Sequence, residues 1–272
     1  MKEKLKYYFQ IFRAILRKPD SLYRVLDHPM EDSNYSRSFL LKEYGIERLP
    51  SVEILDIVSD LNEELGCYSF LPGTSMTIDI ALLMALARDR KSCQYLEIGS
   101  WRGESLANVA QVAKHCYSIT LGGDQLLAAG FSSRQVNLHG FYTKSLTNIT
   151  EIQADSLSYD FRQLPTKFDL IFIDGDHKTS SIASDTRNAF RMLSGQDSVI
   201  VWHDYGWDTE RVRHNTLAGI LEGCPSHLRG ALYHVGQTKC AIYWPKNVNA
   251  YVNERFSSPR LNFKVAIKAN KN

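Results

Sequence analysis

The spacing of apolar residues divides the chain at about residue 92. Beyond it, short apolar runs typical of strands covered on both faces alternate with stretches whose apolar residues recur every three or four positions, as in amphipathic helices. This alternation predicts a doubly wound, Rossmann-like α/β sheet with parallel strands. The predicted strands are 95–98, 116–120, 149–154, 168–174 and 198–204, and the predicted helices between them include 103–114 and 180–193.

Two further strands are predicted near the end of this region. Residues 231–235 and 240–244 are apolar and are separated by GQTK, a short segment that contains glycine. A short turn of this kind joins antiparallel neighbours, so the pair predicts a hairpin. We therefore expect a seven-stranded sheet with a C-terminal antiparallel hairpin in a domain over residues 68–248, followed by a tail over 249–272.

Residues 1–67 are predicted to form a helical N-terminal extension. The basic, amphipathic start of the chain fits a helix laid on the main domain. Two alternatives stay open, in which residues 1–18 contact an anionic membrane surface or the helix joins two copies in a homodimer. The segments expected here are a helix over 1–26, a polar connector over 27–50, a helix over 51–66, a loop over 68–76 and a buried helix over 77–89.

Composition narrows the class of protein. The chain has 272 residues, 44% of them hydrophobic, which suffices for one large core and a small appendage. Its net charge of +2 is far from the strongly basic balance of nucleic-acid-binding domains, so no nucleic-acid partner is expected. The five cysteines are scattered and form no C-x-x-C pair, which favours a reducing, cytoplasmic location. We find no apolar run of transmembrane length and no secretory signal pattern.

Acidic residues follow four of the five predicted parallel strands. In an open α/β sheet, ligands bind beyond the carboxyl ends of the strands, where such residues would meet. Unpaired carboxylates are costly inside a core, so their recurrence at strand ends predicts a binding site. The residues at these ends are Glu97, Gly99 and Ser100; Asp155 and Ser156; Asp174, Asp176 and His177; and His203 and Asp204.

The stretch YLEIGSWRGESL, over 95–106, places two glycines between the first strand and the following helix. Gly99 and Gly103 let the backbone approach a ligand closely, and the start of the helix offers free N–H groups. The G-x-G-x-x-G spacing of dinucleotide-binding loops is missing, and Thr120 stands where such folds place an acid for the ribose. A nicotinamide dinucleotide therefore fits this loop poorly.

These segments, in their order and spacing, resemble class I S-adenosylmethionine-dependent methyltransferases. The similarity rests on LEIGSWRGES, QADS, FDLIFIDGDH and VIVWHDYG and covers roughly residues 70–245. The IDGDH and HDY strand ends resemble the branch that acts on small molecules. The resemblance implies S-adenosylmethionine as cofactor and agrees with a reversed last strand in the sheet.

The resemblance also implies where the cofactor lies. The glycine loop would pass under its methionine part, the end of the third strand would meet its adenine, and Asp174 would face its sulfonium. Thr120 replaces the acid expected at the ribose hydroxyls, so either the nearby Asp124 substitutes for it or the ribose is held differently. The implied contact residues are Glu97, Gly99, Ser100, Trp101 and Gly103 in the loop, Asp155 and Ser156 at the adenine, and Asp174 and Asp124.

Two routes for deprotonating a methyl acceptor stay open. Asp176 or His177 could act as a general base. Alternatively, a divalent metal ion such as Mg or Mn could bind Asp174, His203 and Asp204 and lower the pKa of the acceptor as a Lewis acid. The resemblance implies magnesium at these two strand ends, but magnesium prefers oxygen ligands, so the histidine shifts the preference toward manganese, iron or zinc.

Several of these residues also have a plainer interpretation. His177 could cap the following helix or stack on the adenine, and His203 could be a hydrogen-bonded strand-end histidine without a ligand. Asp185 lies inside a predicted helix and is interpreted as a solvated or capping acid. The cysteines are interpreted as buried apolar residues.

The predicted function is S-adenosylmethionine-dependent methyl transfer to a small molecule, by an O-methyltransferase acting on a hydroxyl of a sugar or a secondary metabolite. One alternative is a binding or scaffold protein that has lost activity, which would agree with Thr120 and with the degraded glycine pair in SGQDS, residues 194–198. The other alternative is a nicotinamide-dependent oxidoreductase.

Overall fold

The computed structural model describes residues 34–269. The helix predicted over residues 1–26 lies outside the described residues, and so do the membrane and dimer contacts suggested for it. The chain divides into two compact units, Met1–Glu47 and Arg48–Asn272. The domain limits predicted at 67/68 and 248/249 stay predictions.

The described part of the first unit contains one helix, α1, which spans Asn34–Tyr44 in place of the predicted polar connector. Gly45 ends the helix. It adopts a left-handed φ of 70°, and its N–H donates to the Leu41 carbonyl at 3.1 Å, an arrangement typical of a helix C-terminus. The glycine that favoured a connector is therefore the residue that stops the helix.

Within the described residues, a mixed sheet of nine strands forms the centre of the second unit. The strands are β1 (Ser51–Val52), β2 (Gln94–Ile98), β3 (His115–Thr120), β4 (Ile149–Gln153), β5 (Leu170–Ile173), β6 (Val199–Trp202), β7 (Leu232–Val235), β8 (Ala241–Tyr243) and β9 (Ala250–Tyr251). Their order across the sheet is β4-β3-β2-β5-β6-β8-β7-β1-β9. Strands β2 to β6 are mutually parallel, so their carboxyl ends meet at one edge, while β8 is antiparallel to both β6 and β7.

The predicted α/β class is confirmed, and so is the antiparallel pairing of β7 with β8. The strand count of seven is too low, and the hairpin is not at the end of the sheet. β1 pairs parallel with β7, and β9 pairs antiparallel with β1. Both added strands have two residues, which is too short for a recognisable apolar period, so the sequence pattern missed them.

Helices lie between the strands as the alternation predicted, with several changes in length. The helix predicted over 51–66 is wrong, because this segment begins with β1 and contains only one helical turn. The helix predicted over 103–114 ends at Val109. The helices are α2 (Ile54–Ile57), α3 (Thr77–Arg88), α4 (Glu104–Val109), α5 (Gly123–Ala128), α6 (Ser133–Asn137), α7 (Thr179–Met192) and α8 (His214–Gly223), with short 3₁₀ turns at Phe161–Gln163 and Ser226–Ala231.

The core lies along the central strands. All four residues of β5 and all four of β6 are buried, as parallel strands covered on both faces must be. The predicted buried helix is confirmed as α3, in which Ile80, Leu82 and Leu83 are completely buried. The five cysteines are free, and all except Cys67 are buried. None of the helices described between residues 34 and 269 has both the length and the apolar character needed to cross a membrane.

Candidate active site

The residues predicted at the strand ends gather at the edge where β2 to β6 finish. Two contacts join neighbouring ends directly. The loop after β2 touches the loop after β5, because a Cβ on Gly99 would lie 2.3 Å from the Asp174 carbonyl oxygen. The end of β5 meets the end of β6 where Asp174 Oδ1 lies 3.1 Å from His203 Nδ1. This edge is the candidate site.

Both glycines of the loop after β2 have a steric role. Gly99 has a φ of +89° and leaves no room for a side chain against the backbone after β5. Gly103 has a φ of +85° at the N-cap of α4, where a Cβ would lie 2.6 Å from Thr143 Cγ2. Left-handed backbone favours glycine at each position, so the loop turns sharply and presents its N–H groups at the edge of the sheet.

Glu97 lies beneath this loop and is only 1% exposed. Its carboxylate accepts hydrogen bonds from the Tyr95 hydroxyl at 2.8 Å and the Ser105 hydroxyl at 2.9 Å. Burial nevertheless dominates and raises the pKa of Glu97 to about 8. A cation placed near Glu97 would therefore favour its ionised form.

The raised pKa of Glu97 predicts how the unfolding free energy depends on pH. The folded protein keeps a proton on Glu97 that the unfolded chain releases above about pH 4.5, so folding loses stability as the pH rises from there to about 8. In Glu97→Gln this contribution is absent. We expect the difference in unfolding free energy between the two proteins to change by about 1.4 kcal/mol per pH unit within the window. Urea unfolding at several pH values measures it, and parallel pH curves for the two proteins would contradict the assignment.

A buried ion pair fastens the loop of residues 68–76 to the glycine loop. Arg102 Nε donates to Glu104 Oε1 at 2.9 Å, and both side chains are almost fully buried. Ser69 and Thr74 donate their hydroxyls to the same oxygen at 2.6 and 3.1 Å, and the Arg102 guanidinium donates to the Pro72 carbonyl at 3.1 Å. These residues were not predicted from the sequence, because a charged pair two positions apart is common on exposed turns.

Trp101 is half-buried between two segments. A Cβ on Gly73 would lie 2.6 Å from its ring, the Arg102 guanidinium lies 4.3 Å from its ring centroid, and its indole N–H donates to the Gln135 carbonyl at 3.4 Å. The Trp101 carbonyl also accepts from the Gly140 N–H at 2.7 Å. Trp101 thus fixes the glycine loop to segments on both sides of it.

Thr120, at the position where an acid was expected, serves the same loop. Its hydroxyl donates to the Ser100 carbonyl at 2.9 Å and lies 3.1 Å from His139 Nε2. Thr120 is thus hydrogen-bonded within the protein. Asp124, the predicted substitute, is exposed in the first turn of α5 after β3.

Asp155 and Ser156 follow β4, and a second acid, Asp185, lies near them. Asp155 Oδ1 accepts from the Leu157 N–H at 2.9 Å, which shapes the turn. Asp185 lies on α7 near Ser156 and is 1% exposed. Burial raises the pKa of Asp185 to about 6. The interpretation of Asp185 as a solvated acid is therefore wrong, because α7 turns this position toward the loops after β4 and β5, where its Oδ2 lies 3.7 Å from a Cβ on Gly175.

Asp174, His203 and Asp204 form a compact group of possible metal ligands. His203 Nδ1 lies 3.1 Å from Asp174 Oδ1 and 3.5 Å from Asp204 Oδ1, and one ligand atom from each residue lies within 4.8 Å of the others. The other ring nitrogen, Nε2, lies 3.2 Å from Oδ2 of Asp79 on α3. Ser75 donates its hydroxyl to Asp174 Oδ2 at 3.3 Å. Asp79 and Ser75 were not predicted, since they lie about 100 residues or more from the group in sequence.

The charges of this group reinforce one another. Burial alone would lower the pKa of His203, but Asp174 and Asp79 outweigh it and hold that pKa well above its usual range. Burial would raise the pKa of Asp174, but the cationic His203 keeps it below its usual range. Without a metal ion the imidazole is therefore protonated, and a metal bound at Nδ1 would displace that proton.

Asp204 also contacts a second histidine. Its backbone has a left-handed φ of +53°, which aspartate tolerates better than most residues. Its Oδ2 lies 3.3 Å from His177 Nε2 and 3.4 Å from Arg213 Nη1. His177 keeps 45% of its side chain exposed, so one ring nitrogen meets a carboxylate while the ring reaches solvent. The exposed Asp176 instead accepts from the Ser181 hydroxyl at 2.8 Å, near the start of α7.

A family model described as a methyltransferase domain matches residues 96–205. The match begins in β2 and ends just after β6, and it includes the glycine loop and all three members of the metal-ligand group. Residues 96–205 thus resemble a methyltransferase domain. The matched segment contains all of the predicted site residues, and the match supports the enzyme class predicted from the sequence.

Solved structures also align with the chain. DesVI from Streptomyces venezuelae aligns with 15% identity over 46% of this chain and 49% of its own, with a TM-score of 0.34. The O-methyltransferase TomG from Streptomyces achromogenes, in complex with SAM, aligns with 18% identity over 63% of this chain and 82% of its own, with a TM-score of 0.42. An O-methyltransferase from Bacillus cereus, in complex with SAH, aligns with 15% identity over 63% and 82%, with a TM-score of 0.45. This chain spans about half the length of DesVI. No curated protein matches it.

Proposed function

We propose that the protein transfers a methyl group from S-adenosylmethionine to a hydroxyl of a small molecule, such as a sugar or a secondary metabolite. The observation that supports this most strongly is the methyltransferase domain, whose strand ends gather acidic and histidine side chains around the glycine loop. The proposal assigns the cofactor to the ends of β2 to β5 and the acceptor to the ends of β5 and β6.

The cofactor assignment uses the chemistry of S-adenosylmethionine. Its methionine amino group is a cation, and Glu97 beneath the glycine loop is a buried carboxyl that a cation would ionise. Asp155 and Ser156 would bind the adenine, and Asp174 would lie near the sulfonium. Asp124, in the first turn of α5, is the proposed ribose contact, because Thr120 is bound to the Ser100 carbonyl instead.

The general base in this proposal is His177. A base needs a nitrogen that can reach the acceptor and a partner that orients its ring. Asp204 is placed to orient His177 through Nε2, and the ring is partly exposed. Asp176 is a weaker candidate, because its carboxylate accepts the hydroxyl of Ser181.

A divalent metal ion fits Asp174, His203 and Asp204. Ligand atoms at neighbouring positions around an ion with bonds of about 2.1 Å lie about 3 Å apart, and the distances from His203 Nδ1 to the two carboxylates are 3.1 and 3.5 Å. One nitrogen and two carboxylate oxygens favour manganese, iron or zinc over magnesium. When bound, such an ion would supply Lewis-acid stabilisation of the acceptor oxygen.

Thermal melting with S-adenosylhomocysteine, NADH or neither tests the proposed cofactor. We expect S-adenosylhomocysteine at about 100 Kd to add roughly 2.7 kcal/mol and to raise the Tm, and NADH to leave the Tm unchanged. Mass spectrometry of acceptor libraries incubated with S-adenosylmethionine should then show products heavier by one methylene unit. A shift with NADH alone would contradict the proposal in favour of an oxidoreductase, and a shift with neither ligand would favour a scaffold.

Metal binding is tested separately by titrating Mn²⁺ into protein treated with EDTA. Because the ion displaces the proton of His203, we expect its affinity to rise with pH, until that proton is lost in the free protein. His203→Gln should lose most of the affinity. An affinity equal to wild type in His203→Gln would contradict the ligand assignment and leave the cofactor assignment unchanged.

A further inference from the structure

Asp79 is a fully buried acid in the first turn of α3, outside the matched domain. Its side chain joins three parts of the fold. Oδ2 accepts from the Met76 N–H at 3.0 Å, and Oδ1 accepts from the Lys239 N–H at 3.0 Å in the turn between β7 and β8. Oδ2 also lies 3.2 Å from His203 Nε2. The bond from the Met76 N–H is an ordinary helix cap. Capping the helix does not require the additional contact with His203.

The contact with Asp79 is one of the two that fix which way the His203 ring faces, and the other is with Asp174. The His203 side chain is 7% exposed, and Nε2 has the Asp79 carboxylate as its partner. With Nε2 held there, Nδ1 is the nitrogen that faces Asp174 and Asp204. A ring rotated by half a turn about its Cβ–Cγ bond would present carbon to these two carboxylates and would leave Asp79 without the histidine.

We propose that Asp79 is a positioning residue, which holds the His203 ring so that Nδ1 is directed at the space between Asp174 and Asp204. The inference rests on the proposed function, in which that space receives a divalent ion. The N–H of a metal-binding histidine that is not on the metal side usually donates to a carboxylate, which fixes the ring and strengthens the ligand. Asp79 supplies this partner from an element that precedes the methyltransferase domain in sequence.

The same segment reaches a second member of the group. Ser75 precedes α3 and donates its hydroxyl to Asp174 Oδ2. The segment 75–79 therefore contacts both Asp174 and His203 from one side. The loop before it is fastened by the Arg102–Glu104 ion pair. The region before the matched domain thus contributes to the orientation of the ligand group and does not only cover it.

The test compares Asp79→Asn with Thr238→Val in the full-length protein. Asp79→Asn keeps the volume of the side chain but replaces one carboxylate oxygen by an NH₂ group. Both oxygens of Asp79 accept from N–H groups, so the NH₂ group then faces at least one N–H donor. Thr238 is a matched control, because its hydroxyl bonds to the Val235 carbonyl at 2.7 Å and the Cys240 N–H at 3.0 Å in the same turn, without contact to His203. We expect Asp79→Asn to bind Mn²⁺ about 10–100-fold more weakly than wild type. Thr238→Val should stay within about threefold, and both variants should bind S-adenosylhomocysteine like wild type.

A second measurement does not depend on the metal. In ¹⁵N-histidine NMR of the wild-type protein without metal, the Nε2 proton of His203 should be protected from exchange by its bond to Asp79. It is assigned by its absence in His203→Gln. Its protection should fall clearly in Asp79→Asn, because a neutral amide oxygen accepts more weakly than a carboxylate, and should be unchanged in Thr238→Val. The absence of such a protected proton in wild type, or unchanged protection in Asp79→Asn, would overturn the proposal even if one variant fails to fold.

The Mn²⁺ titration and the NMR measurement together distinguish failure of the proposed role of Asp79 from failure of the proposed metal site. If wild type binds no Mn²⁺, the metal assignment fails while the NMR result still decides the role of Asp79. If wild type binds Mn²⁺ and Asp79→Asn binds it equally well, the metal assignment stands and the positioning role is wrong.

Discussion

His177→Ala is expected to lower kcat by about 10²–10⁴, the usual contribution of a general base, while the affinity for S-adenosylhomocysteine stays within about threefold of wild type. The reason is geometric. His177 Nε2 lies 3.3 Å from Asp204 Oδ2, and nearly half of the side chain is exposed at the edge where the acceptor is proposed to bind. Removal of the ring eliminates the proton acceptor and leaves the glycine loop intact. Single-turnover methyl transfer and a binding titration measure the two effects.

Two further measurements decide between His177 and Asp176. Added imidazole should restore part of the activity of His177→Ala, because the cavity and Asp204 are still present. Asp176→Asn should keep kcat within about threefold, since an amide oxygen can still accept the Ser181 hydroxyl. A loss of about 10² or more in Asp176→Asn, together with near-normal His177→Ala, would reverse the assignment.

Gly99→Ala is expected to remove cofactor binding and to destabilise the fold by about 3 kcal/mol. A Cβ at this position would lie 2.3 Å from the Asp174 carbonyl oxygen and 2.5 Å from Gly175 Cα, in a backbone with a φ of +89°. Backbone after β5 cannot yield without moving Asp174. Both the glycine loop and the group of possible metal ligands should therefore be displaced. Urea unfolding and calorimetric titration with S-adenosylhomocysteine measure these losses.

Gly130→Ala provides the matched control. Gly130 also has a φ of +89°, but among residues 34–269, its two chain neighbours apart, no atom lies within 4 Å of a Cβ placed there. Gly130→Ala should therefore lower the unfolding free energy by about 1 kcal/mol, the cost of left-handed backbone alone, and should bind the cofactor normally. Equal effects in the two variants would show that the contact with Asp174 has no special weight.

The fold could be predicted where the chain repeats a simple pattern. The apolar runs that became β5 and β6 are buried on both faces, so their composition alone identified them. β1 could not be identified in this way, because Ser51 and Val52 gain their pairing from His234 and Val235, far along the chain. Two residues provide no period, and the apolar residues Ile54 and Ile57 made the segment look helical.

Only those site residues that directly follow a predicted strand could be identified from the sequence. Asp174 and Asp204 were placed correctly at one edge, because parallel strands end together. Asp79 could not be found, since its contact with His203 spans 124 positions and its local pattern indicates only a helix start. Asp185 was misjudged for a related reason, since a polar residue in a helix is usually exposed, whereas this one is buried against the loops at the site.

A crystal structure of the protein with S-adenosylhomocysteine and Mn²⁺ would show whether this edge of the sheet is the site of methyl transfer. We expect the methionine part over the Glu97–Gly103 loop and the adenine beside Asp155 and Ser156. We also expect an anomalous manganese peak bounded by Asp174 Oδ1, His203 Nδ1 and Asp204 Oδ1. A nucleoside bound away from the ends of β2 to β5 would contradict the assignment of this edge as the site of methyl transfer.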